Sequence, residues 1–116
     1  MSGTPHPYRA PQAPVPESQR DERLKQLAER ESMRDRLAAN VADLDAFIEQ
    51  QRATFQALWR ASKGIDLSMH KTIGELGNIM SAVSATIEST RTTRHIVWNE
   101  WNKYHADAER IREKIG

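Results

Sequence analysis

IGELGNIMSAVSATIESTRTTRHIVWNEW, residues 73–101, carries the pattern on which the fold of this chain turns. Counting from Ile73 in alternating steps of three and four lands on Leu76, Met80, Val83, Ile87, Thr90, Arg94, Val97 and Trp101. The same count runs back to Met69 and forward through Tyr104, Ala108, Ile111 and Ile115. A repeat of 3.5 residues held this long is the mark of a coiled-coil helix, because it keeps one apolar seam facing a partner. Only Thr90 and Arg94 depart from apolar character. Both keep the count, so they form a polar layer within the seam rather than a break in it. The Arg94 guanidinium then needs water, an anion or a carboxylate such as Glu31 or Asp35. In heptad letters the a positions are Ile73, Met80, Ile87, Arg94, Trp101, Ala108 and Ile115. The d positions include β-branched Val83, Thr90, Val97 and Ile111, a choice that suits three or four strands better than a parallel pair. A trimer is therefore the favoured expectation.

Upstream, a shorter seam follows the same steps through Leu37, Val41, Leu44, Ile48, Gln51, Phe55 and Leu58. Before Leu37 the count meets Arg34 and Arg30, so the first half of this helix reads as a solvated, mixed-charge face. Helix 1 is expected from about residue 17 to 63, with a seam over 37–58, and helix 2 from 69 to 116. Residues 64–68 form the turn between them. Gly64 suits a left-handed helix end, and Asp66 or Ser68 suits the cap of the next helix. Folding back at Gly64 sets Phe55 and Leu58 against Leu76 and Ile73, and Leu44 and Ile48 against Ile87 and Val83. The distal half of helix 2 then lacks an apolar partner in its own chain, which favours association with other copies. Ile73, Leu76, Met80, Val83, Ile87, Val97, Trp101, Tyr104, Ile111 and Ile115 thus read as an oligomer seam, with helix 1 packed outside it. Gly74 and Gly77, costly inside a helix, suggest close approach of another backbone. The fold class is all-α: an antiparallel hairpin of two long helices, assembled into an oligomeric coiled coil. One continuous kinked rod is the alternative.

All five prolines lie in residues 1–16, which read as an extended Pro-rich arm. It is either a free tail or a docking strap, with Tyr8, Arg9, Pro11 and Pro14 as its candidate contacts. Of the 116 residues 38% are apolar and 28% charged, too polar for a large globular core. A net charge of +1 gives no general attraction to nucleic acid or acidic membranes, so neither is expected as a partner. Without cysteine there is no thiolate or disulfide chemistry. His6, His70, His95 and His105 make no metal-binding spacing, and Gly74-Glu75-Leu76-Gly77 is no phosphate cradle. No catalytic, cofactor or metal site is expected. Trp98 lies beside the seam at an e position and is the candidate for gripping a foreign partner. The opening MSGTPHPYRA lacks a secretory apolar run, and no segment is long and apolar enough for a membrane span. A soluble protein, intracellular at synthesis, is expected.

In overall plan, with residues 1–16 as arm and 37–115 as shaft, the chain resembles the small accessory coiled-coil proteins of bacteriophage particles. These include the trimeric whisker or fibre type. The resemblance implies a non-enzymatic rod, fibre or tether that partners itself, docks to another protein of a larger assembly through its arm, and is incorporated into a virus particle. The other reading is a regulatory binding module (chaperone, scaffold or inhibitor) that sequesters a protein on the surface around Trp98.

Overall fold

The computed structural model describes residues 17–116. The Pro-rich arm, with Tyr8, Arg9, Pro11 and Pro14, lies outside the described residues. Two helices account for nearly all of the rest: α1, Glu17–Lys63, and α2, His70–Ile115. At 1.5 Å per residue each is roughly 70 Å long. α1 ends on short-range bonds, Gly64 N–H to the Ala61 carbonyl and Ile65 N–H to the Ser62 carbonyl. Gly64 does not use the left-handed backbone expected of it. Asp66 organises the reversal instead, accepting from the Ser68 backbone N–H at 2.9 Å while its own carbonyl accepts from Met69 N–H. The residue before α2 is Met69, which gives no side-chain cap, so neither Asp66 nor Ser68 is the helix cap.

The helices run antiparallel, and polar bonds along their length fix the register. Asp45 pairs with Arg94, Arg30 with Asp107 and Glu31 with Arg112, while the Arg23 guanidinium donates to the Lys114 carbonyl at 3.3 Å. These fixed points bring the seams level in pairs: Leu58 with Met80, Phe55 with Val83, Ile48 with Thr90, Leu44 with Arg94, Val41 with Val97, Leu37 with Trp101 and Leu27 with Ile111. Phe55 accordingly shares a surface hollow with Ser84 and Ile87. This register is one heptad away from the one expected from a fold at Gly64. The reversal consumes residues 64–69, so the first heptad of α2 lies beyond the end of α1, with Ile73 level with Ile65 of the loop.

The extra heptad changes what the distal half packs on. Val97 and Trp101 come level with Val41 and Leu37 rather than with Arg34 and Arg30. Every seam position of α2 from Ile73 to Ile115 is buried or half-buried within the single chain. So is the α1 row Leu27, Arg30, Arg34, Leu37, Val41, Leu44, Ile48, Gln51, Phe55 and Leu58. Val41, Ile48, Ile87 and Ala108 are the buried core of the described residues, and Ala108 is 0% exposed. The small side chain of Ala108 admits close approach of α1, and the Arg30–Asp107 and Glu31–Arg112 pairs flank it. Gly74 and Gly77 face open space, with no other backbone near them in the chain. Neither helix is long and apolar enough to cross a membrane.

Candidate interaction surface

A two-helix coil buries one stripe per helix and leaves two flanks, one carrying the e positions and the other the g positions. In an antiparallel pair e lies near e and g near g, and here Glu31 and Arg112 show the e–e relation. Between residues 40–61 of α1 and 72–96 of α2 the flanks differ sharply in charge.

The e flank carries the ions. Arg52 pairs with Glu49 at 2.8 Å and Arg91 with Glu88 at 2.6 Å, each one helical turn apart. Arg94, from its a position, reaches Asp45 at 2.5 and 3.3 Å, a two-pronged contact across the helices. That hydrogen bond holds the Arg94 guanidinium even further above its usual pKa, against a smaller opposing effect of desolvation. The expected carboxylates, Glu31 and Asp35, are not its partners. The one-heptad change of register supplies Asp45 in their place. Thr90 satisfies its hydroxyl within its own helix, donating to the Thr86 carbonyl at 2.7 Å.

Two tryptophans sit on the same flank, each under a cation. Lys63 Nζ lies 5.0 Å from the Trp59 ring centroid, and the Arg94 guanidinium lies 6.0 Å from that of Trp98. Trp98 is 39% exposed and stacks on Trp101, which stacks in turn on His105, both at 4.8 Å between centroids. Spacings of 4, 3 and 4 from Arg94 to His105 build this ladder along one side of α2. Only Nδ1 of His105 among the described buried side-chain polar atoms lacks a partner. Trp98 is therefore a stacked aromatic at the surface, whereas Trp101 and Tyr104 are half-buried in the seam.

The g flank carries no ion pair over this span. Its positions are Asn40, Phe47, Thr54 and Ala61 on α1, and Thr72, Ile79, Thr86 and Thr93 on α2. Asn40, the one amide among them, is exposed at the end of the span furthest from the turn. Ile96 lies next to them at a c position. Phe47, Ile79 and Ile96 are exposed by 39%, 49% and 57%. Thr54, Thr86 and Thr93 each turn the hydroxyl back to the carbonyl four residues earlier, on Gln50, Ala82 and Ser89. Their polar atoms are thus engaged with their own helix, and these threonines offer methyl groups outward. Sequence reading centred on the a and d count missed this flank, because Phe47, Ile79 and Ile96 fall off the seam. The signal lay in the near absence of charge around them.

Among the described residues no three His, Cys, Asp or Glu side chains gather where they could hold a metal ion. The chain matches no protein-family model, no curated protein and no solved structure.

Proposed function

We propose that this protein is a non-enzymatic helical rod that self-associates and serves as a structural spacer or tether in a larger assembly, docked there through its N-terminal arm. A phage-particle type of assembly is the setting that its plan resembles. One observation carries the reading. The hairpin buries only four of its described residues, while Leu24, Phe47, Trp59, Leu67, Met69, Ile79, Ile96 and Trp98 stay exposed along its outside. A rod with so thin a core and so much apolar surface is best stabilised by further helices laid against it.

Light scattering on the full chain and on residues 17–116 tests this. Both are expected at the same multiple of the chain mass, because the shaft alone carries the contacts. A single-chain mass at every concentration overturns self-association. A change of oligomer on removing residues 1–16 overturns the assignment of docking to the arm.

The exposed Trp98, locked by its stack on Trp101, favours a second reading, a binding module for a soluble protein. That reading requires a monomer or dimer which forms a stoichiometric complex and loses it on Trp98→Ala, with helicity unchanged.

A further inference from the structure

We infer that the g flank is the self-association surface, and that its occupant is a second copy of this chain laid antiparallel across the turn-proximal half of the rod. This rests on the self-association reading above and assigns it to one face. Three observations converge on it. The flank is free of ion pairs over this span while the opposite flank holds three, Arg52–Glu49, Arg91–Glu88 and Arg94–Asp45. Its bulky side chains, Phe47, Ile79 and Ile96, stand among threonines, and the hydroxyls of Thr54, Thr86 and Thr93 are already bonded to their own helix. Desolvating those three threonines therefore leaves no orphaned hydroxyl. Charges on this side, Asp43 and Glu75, sit towards its two ends, as does the amide of Asn40.

The size fits one partner. The strip spans about 22 residues of each helix, roughly 33 Å at 1.5 Å per residue, across two helices each about 10 Å wide. A footprint of roughly 650 Å² is close to the ~800 Å² that each partner contributes to a stable interface.

Polarity follows from where charge resumes. Beyond the strip, the g and c positions of the distal half carry Glu29, Arg36, Glu100, Lys103, Asp107 and Arg110. Parallel stacking would press these charged halves together along the whole rod, with Arg36 near Lys103 of a second copy. Antiparallel stacking overlaps only the strips and leaves both charged halves in water at opposite ends. A twofold axis near Thr54 and Thr86 then lays Ile79 of one copy over Thr93 of the other, and Phe47 over Ala57. In each case a bulky side chain meets a small one. Around that axis α2 faces α2, so Thr86 meets its own counterpart.

The chain has no cysteine, so a single engineered thiol reads this geometry cleanly. Under mild oxidation Thr86→Cys is expected to give a disulfide-linked dimer in high yield. Ser84→Cys, at an e position on the opposite flank, is expected to stay unlinked. Ile79→Lys should convert the protein to single chains with helical circular dichroism retained, whereas Trp59→Lys should leave the oligomer intact. Efficient linkage of Ser84→Cys, or dissociation by Trp59→Lys and not by Ile79→Lys, overturns the face while self-association stands. Linkage at neither site in a protein of multiple chain mass overturns the antiparallel arrangement. A wild-type protein that is a single chain throughout overturns both this inference and the reading beneath it.

Discussion

Arg94 occupies a seam position without breaking the seam because its guanidinium leaves the axis at once. Its stem lies level with Leu44, and its head reaches Asp45 on the e flank. Both side chains remain solvated, at 38% and 49% exposure, so screening by water leaves the pair little net contribution to stability. Isoleucine at this position would instead bury apolar area against Leu44. Arg94→Ile is therefore expected to raise stability by about 1 kcal/mol, on the scale of a partly buried aliphatic side chain. Denaturant unfolding below the association threshold measures it. Coupling between Arg94→Ala and Asp45→Ala in a double-mutant cycle should be small, the two single losses nearly adding up to the double. The polar layer then acts on alignment: Arg94 meets Asp45 in this register and would lie level with Leu37, one heptad away, in the other.

Among the elements, the turn sets which register is chosen. Six residues, 64–69, separate the helices, and the Asp66 carboxylate holds their bend. The Ser68 backbone N–H, and then its hydroxyl, keep the Asp66 pKa below its ordinary value. A carboxylate whose pKa falls on folding adds stability that is fully present above its unfolded pKa. That contribution disappears as pH falls through the lower folded value. The melting temperature of wild type should thus exceed that of Asp66→Asn near neutral pH. The gap should close as pH drops below about 4, the ordinary aspartate range, and a gap that persists unchanged there would contradict the carboxylate's role. The seams of the two helices are legible from Leu37 and Met69 onward because period 3.5 is a local property. Their mutual register is not, because an alternative pairing one heptad away also keeps a opposite d. Choosing between them requires the length of the reversal and the partners of Arg94, Arg112 and Arg30.

For the whole molecule, the proposed self-association implies a rod whose stability depends on its own concentration. Association through a strip without ion pairs would stabilise the folded form by mass action, so the melting temperature should rise with protein concentration. For the same reason the oligomer is expected to persist in 1 M salt, where screening reaches about 3 Å. Dissociation by salt, followed by sedimentation, would place the contacts on the charged flank or the distal halves instead. Side-chain period and turn chemistry, both local and both readable from the residues alone, are enough to define two long helices joined near Gly64, the inward positions of α2 and those of α1 from Leu37 to Leu58. The half-buried row Leu27, Arg30 and Arg34, read from sequence as a solvated face, is not among them. Three further features appear only once the chain is folded. The α2 seam from Leu76 onward is covered by α1, Arg94 receives Asp45, and ion pairs and bare apolar side chains separate onto opposite flanks. Each of these depends on which residues come level across the hairpin, and a heptad repeat is degenerate in that respect until the reversal fixes it.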